Sequence, residues 1–257
     1  MRAEAADRRS LAVAGAPATA TEVRRALVAG GDADRVLDLS GRPLSAATLG
    51  RPAVLVYAVE GGAPQAADEA ALRLAERLGV RAVCVLTGVG TIVPPVPHVL
   101  AADVVPVATG GSLPFERIAE RVAAAGGGSV AALAAALPSL RPAVCRETVR
   151  HFSRANGLIG AAVFVPGVDL PALALNQARM VLRLAAAHGI DIDRERAPEL
   201  LAAAGAALGL RALARAALSL LPGPGWVYKG GVAYAGTRAI GEAAIAFFAS
   251  RAVRFGS

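Results

Sequence analysis

The chain has 257 residues, 55% of them apolar but only 4% aromatic, and a mean hydropathy of +0.51. That composition excludes a disordered chain and describes an Ala-, Leu- and Val-rich protein able to bury one large core or two small ones. The net charge of +7 favours anionic surfaces, yet the arginines are spread over both halves without an aromatic platform, which argues against nucleic acid.

Cys84 and Cys145 are far apart and form no C-x-x-C. Cys84 sits in "AVCVL", an expected buried strand, so a structural thiol is expected. His98, His151 and His188 are isolated as well, and no metal constellation can be built from these spacings. "MRAEAADRRS" is charged and reads as no secretory signal. The nearest approach to a spanning segment, 230–249, carries Arg238 and Glu242, so no transmembrane helix is expected.

From residue 11 the chain alternates apolar runs with amphipathic ones. "LAVA" (11–14) predicts a strand and "TEVRRALVAGG" (21–31) a short helix. "RVLDLSG" (35–41) predicts a second strand, and "AVLVYAVE" (53–60) has the continuous apolar content of a strand buried on both faces. "QAADEAALRLAERLG" (65–79) predicts a helix with Ala71, Leu74 and Leu78 inward. Strands follow at 81–88 and 103–110, and Pro114 opens a helix over 114–125. The loop "GTIVPPVPHVL" (90–100) is Pro-rich and apolar. This alternation predicts a three-layer α/β domain over 1–124 with a mostly parallel sheet.

The Gly/Ala/Ser-rich stretch 125–140 reads as a linker that carries a short helix. Beyond it, 141–257 reads as an all-α domain. Helices are predicted over 145–164, 169–189, 191–220 and 227–253, separated by "VPGVD" (165–169) and "LPGPGW" (221–226). Asp169 is expected to cap the second of these. That helix places Leu173, Gln177, Met180, Val181 and Leu184 on one face and Arg179 and Arg183 on another, and it ends at His188-Gly189. Gln177 on an apolar face reads as a buried hydrogen-bonding group. Ala233, Thr237 and Gly241 recur at intervals of four on the last helix. Small residues so spaced let backbones approach closely, in lipid or in a packed helical domain. Arg238 and Glu242 form an expected i,i+4 pair, and Trp226 and Tyr228 beside Lys229 suit either an interfacial anchor or a helix-hairpin contact.

The N-terminal pieces, in order and content, resemble the GTPase domain of the translation-factor-related class. The phosphate loop of that family, G-x-x-x-x-G-K-[ST], corresponds to residues 15–22, where Gly15 is kept. Ala20 replaces the second glycine, Thr21 the lysine that meets the β- and γ-phosphates, and Glu22 the hydroxyl that holds magnesium. A D-x-x-G is present as Asp38-Leu-Ser-Gly41. The guanine-specificity motif N-K-x-D is replaced by Thr87-Gly88-Val89-Gly90, and the last base-contacting stretch falls at Ala108-Thr109. The resemblance therefore implies a degenerate phosphate loop. Its vestigial elements are Gly15, Thr19, Thr21, Asp38 and Gly41, and a carboxylate stands where a cation should be.

The C-terminal region resembles a bacterial helical domain of unknown function found on Era-like and dynamin-like GTPases and in some small inner-membrane proteins. The resemblance rests on Pro166-Gly167-x-Asp169, Gln177-x-x-Met180 with His188-Gly189, Pro222-Gly223, and Thr237-x-x-x-Gly241 leading to Phe247-Phe248.

The expected function is a non-catalytic GTPase-like regulator or scaffold. Its helical domain would dock on a protein partner or a membrane surface, with no nucleic acid, metal or cofactor. Two other readings stay open. One is a nucleotide- or anion-dependent hydrolase using the Gly15 loop, Thr19 or Thr21, and Asp38. The other is a membrane-embedded helical-hairpin protein, against which Arg179, Arg183, Arg211, Arg215 and Arg238 count, since each mid-bilayer arginine costs about 2.5–3.5 kcal/mol. The expected location is the cytoplasm, with or without peripheral contact at the inner face of the cell membrane.

Overall fold

A computed structural model describes residues 10–162, 170–190 and 225–255. The chain divides into two compact units, residues 1–144 and 145–257, and each is described by itself.

The first unit is built on five parallel strands: β1 (Leu11–Gly15), β2 (Val36–Ser40), β3 (Val54–Val59), β4 (Ala82–Val89) and β5 (Val104–Ala108), in the order β2-β1-β3-β4-β5. Its helices are α1 (Pro17–Leu27), α2 (Ala46–Leu49), α3 (Ala66–Arg77), α4 (Phe115–Gly126) and α5 (Ser129–Ala136). The α/β architecture expected from the alternating pattern is present. Every residue of β3 is buried, as its unbroken apolar sequence requires for a central strand covered on both faces.

Alternation splits the strands cleanly. Ala12, Ala14, Leu55, Tyr57, Cys84 and Leu86 form one core with Leu49 of α2 and with Leu72 and Ala75 of α3. The intervening residues, Leu11, Val13, Val54, Val56, Val83 and Val85, are equally buried and point to the opposite face. There α1 packs on β1, β2 and β3, and α4 packs on β3 and β4. In α3 the fully buried positions are Leu72 and Ala75, with Ala71 and Leu78 packed against their edge, so the inward face is rotated slightly from the one expected through Leu74. Gly79 closes α3 with a positive φ of 69°, and Val80 donates back to Ala75 O at 2.9 Å; this left-handed cap turns the chain straight into β4.

Two boundaries differ from those the sequence predicts. First, α1 begins at Pro17 and not near residue 21. Pro17 occupies the first helical position, where a fixed φ and a missing N–H are both tolerated, and that pulls the helix up against β1. Second, the stretch 125–140 lies inside the first unit. Its helix α5 buries Val130, Ala131, Leu133 and Ala134. Asp32 N donates to Ala136 O at 2.9 Å, and Ser139 Oγ donates to Leu27 O at 2.5 Å. Small residues read as a flexible tether, yet here their size permits close packing: a Cβ on Gly126 would collide with Val54 and Val130.

The second unit is helical and takes up most of α6 (Arg141–Ala162), with α7 (Leu170–Ala187) and α8 (Gly225–Phe255). Leu173, Gln177, Met180, Val181 and Leu184 of α7 are buried, and Arg179 and Arg183 are exposed, as the helical spacing predicts. Gly189 ends α7 with φ 72°; it donates to Ala186 O, and Ile190 donates to Ala185 O, both at 3.0 Å. On α8 the small residues Ala233, Thr237 and Gly241 are inward. A Cβ on Gly241 would lie 2.4 Å from Val149 of α6, and one on Gly230 would lie 3.0 Å from Gly157 O. The small-residue stripe therefore serves a close backbone crossing inside this unit. Arg238 Nε bonds Glu242 Oε1 at 2.8 Å on the exposed side of α8.

The Pro166-Gly167-x-Asp169 break, the helix expected over 191–220, the Pro222-Gly223 break and the side chains of Trp226, Tyr228 and Lys229 lie outside the described residues. Among the described residues, no helix is long and apolar enough to cross a membrane.

Candidate functional site: the carboxyl ends of the strands

In a doubly wound sheet of order 2-1-3-4-5, connections leave β1 and β3 towards opposite faces, and ligands bind in the crevice at the carboxyl ends of those strands. The strands end there in Gly15, Ser40 and Val59, followed by Ala16, Gly41 and Glu60.

Gly15 has φ 95°, and a Cβ on it would lie 2.1 Å from Ala58 O, so only glycine fits. Ala16 N donates to that same Ala58 O at 2.9 Å, which ties the turn after β1 to the end of β3. Gly41 N donates to Gly15 O at 3.0 Å, which ties it to the end of β2. Gly41 also has a positive φ, 65°, and a Cβ on it would lie 3.1 Å from Pro17 Cγ. The two glycine turns thus lock together.

This locking has a consequence for anions. A phosphate cradle needs a loop of free backbone N–H groups leading into a helix. Here the helix starts two residues after the strand. Ala16 N is consumed by Ala58 O, Pro17 has no N–H, and Ala20 N already bonds Ala16 O. The backbone donors left at the helix start are those of Ala18 and Thr19. The expected loop positions Ala20, Thr21 and Glu22 are helical: Ala20 is fully buried, and Thr21 and Glu22 face solvent.

Thr19 is buried, and its Oγ1 donates to Glu60 Oε1 at 3.0 Å. Glu60 is exposed on its other side. Across β1, Asp38 accepts from the backbone N of Ser40 at 3.0 Å and from the Ser40 hydroxyl. Arg24 Nε lies 3.6 Å from Asp38 Oδ2. The two Ser40 bonds, followed by the nearby Arg24 and Arg42, hold the Asp38 carboxyl below the usual carboxylate range. The crevice is therefore flanked by two carboxyl groups, each already engaged by a hydroxyl.

The stretch Thr87–Gly90, expected at the end of β4, is tied to the end of β3. Thr87 Oγ1 donates to Val59 O at 3.3 Å, and Gly62 N donates to Thr87 O at 2.8 Å. A Cβ on Gly62 would lie 2.7 Å from Gly88 O, so the two loops rest against each other. Ala108 and Thr109 are exposed at the end of β5. Cys84 is fully buried, and burial pushes its thiol up to about 12, which suits packing and not chemistry. Burial, then the neighbouring Asp68, raises the Tyr57 hydroxyl above its ordinary value; the hydroxyl donates to Asp68 Oδ1 at 3.0 Å.

Of the residues expected at the site, Gly15, Thr19, Asp38 and Gly41 come together, and Thr21 lies exposed on α1. Sequence reasoning misses Glu60. Its signal is present all the same: it is the first charged residue after an unbroken apolar strand, where the strand's carboxyl end meets solvent.

A second concentration of polar atoms lies in the helical unit. Thr237 Oγ1 of α8 donates to Ala233 O at 2.8 Å and accepts from Asn156 Nδ2 of α6 at 2.9 Å and from Gln177 Nε2 of α7 at 3.2 Å. Asn176 Nδ2 donates to Asn156 Oδ1 at 2.9 Å. The Thr237 hydroxyl has used its proton and both lone pairs. Gln177 is the buried hydrogen-bonding group its spacing implied. Asn156 escapes the sequence, because a polar residue on a helix with charged neighbours reads as solvent-facing. Among the described residues, no three His, Cys, Asp or Glu side chains gather as metal ligands. No family model, curated protein or solved structure matches this chain.

Proposed function

We propose that the chain is a non-catalytic regulator or scaffold built on a degenerate GTPase-like α/β unit, with its helical unit docking on a partner or a membrane surface. The observation that carries this reading is the turn after β1. Pro17 at the first position of α1 and the Ala16 N–Ala58 O bond remove the donors a triphosphate needs. Glu60 stands at the same strand ends, bonded to Thr19, and repels an anion. The retained glycine turns support a nucleotide-binding ancestry: Gly15 and the Gly41 of Asp38-Leu-Ser-Gly41 still meet through a 3.0 Å backbone bond. The exposed Leu158, Leu175 and Phe247 support docking by the helical unit.

Calorimetric titration of the full chain with GTP and Mg²⁺ tests this. The expected outcome is no saturable binding tighter than about 1 mM, or about −4 kcal/mol. Micromolar affinity, or magnesium-dependent hydrolysis, overturns the reading and favours the nucleotide-dependent hydrolase.

A further inference from the structure

Among the described residues of the helical unit, the large apolar side chains most open to solvent are Leu158 of α6, exposed by 72%, and Leu175 of α7, exposed by 52%. Each has an exposed arginine one turn away on its own helix, Arg154 and Arg179. In α6 the arginine precedes the leucine, and in α7 it follows. The two helices run antiparallel. Asn156 bonds Leu173 O and Asn176, while Phe152, one turn earlier, lies 5.1 Å from the guanidinium of Arg183. The reversed sequence order therefore offsets the reversed direction: leucine stands beside leucine, and arginine beside arginine.

Both pairs face away from the packed interior. Leu158 is two residues past Asn156 and Leu175 two before Gln177, so each is turned about 200° from the polar cluster that joins the helices. The result is a surface in two tiers, apolar in one and cationic in the next, about 6 Å apart along the helices. Neither Arg154 nor Arg179 makes a hydrogen bond or ion pair among the described residues. The one acid of these two helices, Glu147, lies two turns before Arg154 and is bonded by Arg150. The charge of the chain is concentrated in the same unit. Residues 145–257 carry 13 basic against 7 acidic side chains, and residues 1–144 carry 14 against 13.

We infer that this face of α6 and α7 docks on an anionic bilayer, with Leu158 and Leu175 in the acyl boundary and Arg154 and Arg179 at the lipid phosphates. This rests on the docking role proposed for the helical unit and names its occupant. A bilayer is ordered by depth, hydrocarbon below and phosphate above, and two tiers about 6 Å apart match that order. Basic side chains held at the surface add attraction to anionic headgroups. An acidic protein would meet the arginines in any arrangement and would not require the leucines to be set apart from them by depth.

The test is co-sedimentation of the full chain with vesicles of 3:1 phosphatidylethanolamine:phosphatidylglycerol and, separately, of phosphatidylcholine. The wild-type chain is expected to pellet with the anionic vesicles and much less with the neutral ones. Leu158→Ser/Leu175→Ser is expected to lower the anionic partition coefficient about 30-fold, from apolar surface withdrawn from lipid. Arg154→Gln/Arg179→Gln is expected to lower it about 30-fold as well, and to remove most of the preference over neutral vesicles. Ile92→Ser, on the α/β unit, is expected to leave it unchanged. Thermal melting checks that each variant keeps the fold; where a double variant melts early, its two single variants replace it, with about a fivefold loss expected from each. Anionic binding that ignores either pair overturns the inference, and so does equal wild-type binding to neutral vesicles. A chain that stays in the supernatant with every vesicle also overturns it, and leaves a protein partner for the helical unit. Binding lost in Ile92→Ser and kept in both α6/α7 variants overturns the inference and docking by the helical unit together.

Discussion

In the α/β unit, the interior between β1 and β5 is apolar, and its buried polar side chains sit at strand ends: Thr19 beside the end of β3, and Asp103 paired with Arg81 where β4 and β5 begin. In the helical unit, the polar side chains lie mid-helix, where Asn156, Gln177 and Thr237 join three helices. The difference follows from backbone chemistry. A parallel sheet satisfies its own N–H and C=O groups within the layer, so its side chains are free to be purely apolar, and its unmet polar needs collect at the edges. A helix also satisfies its backbone, but apolar faces on helices slide against one another. Directional bonds between side chains fix their register, which is the best-attested use of buried polar groups. The first unit is thus specified by hydrogen bonds of its main chain and the second by hydrogen bonds of its side chains.

The largest expected effect tests the first half of that contrast. Gly15→Val places a Cβ 2.1 Å from Ala58 O at φ 95°. Strain and overpacking together predict a loss of about 4 kcal/mol or more. Denaturant unfolding of the variant checks it; a loss below about 1 kcal/mol would mean that the β1 turn is not locked as described.

The helical unit answers differently to two kinds of substitution. Asn156→Ala removes a donor from Thr237 and an acceptor from Asn176 and leaves a cavity, for an expected loss of about 3 kcal/mol. Replacing the three buried members, as Asn156→Leu/Gln177→Leu/Thr237→Val, leaves only the half-buried Asn176 amide without its protein acceptor, fills the space, and is expected to cost much less than the single change. Amide proton dispersion in an NMR spectrum then separates stability from uniqueness: the triple variant keeps the helices and broadens. A triple variant with the sharp spectrum of the parent would show that the cluster does not set register.

These contrasts also explain what the sequence discloses. The buried character of β3 and the inward face of α7 are legible, because period and apolar content act locally at Val54–Val59 and at Leu173–Leu184. The α/β class follows from the alternation of such segments. Strand order does not, since nothing in "LAVAG" names β2 and β3 as its neighbours. The start of α1 is hidden when 15–22 is read as a loop, although Pro17 already carries the helix-start signal. The short helix in the Gly/Ala/Ser stretch is legible but the packing of α5 is not, because burial of alanines depends on what lies opposite, here Val54 and the 28–32 turn. At the candidate site, Gly15, Asp38 and Gly41 are legible as turn residues, but the Thr19–Glu60 bond spans 41 positions and is set by the sheet alone.

Thr19→Val sharpens the description of the crevice on a smaller scale. It keeps the side-chain volume and deletes the hydroxyl bond to Glu60, for an expected loss of about 1 kcal/mol. Glu60→Gln, which still accepts from Thr19, is expected to lose less. A Thr19→Val variant as stable as the parent would mean that Glu60 is held by water and not by α1.

The smallest expected effect concerns Asp38 and is read through pH. Its bonds from Ser40, aided by Arg24 and Arg42, depress its folded pKa below the ordinary value of 3.8. A carboxyl with a depressed folded pKa binds fewer protons when folded than when unfolded. Its contribution is therefore fully present above the unfolded value, near neutrality, and drains away as pH falls from about 5 through the folded pKa. Because Asp38 is nearly half exposed, the contribution is small, and it is screened by salt. Asp38→Asn should accordingly be slightly less stable than the parent at pH 7. The difference should shrink as the pH is lowered below about 4, and should shrink also in about 1 M salt, since an asparagine has no charge for Arg24 and Arg42 to meet. A stability difference that stays constant from pH 7 to pH 2 would show that Asp38 acts through the Ser40 turn geometry alone, and that the arginines at this end of the sheet leave its carboxylate untouched.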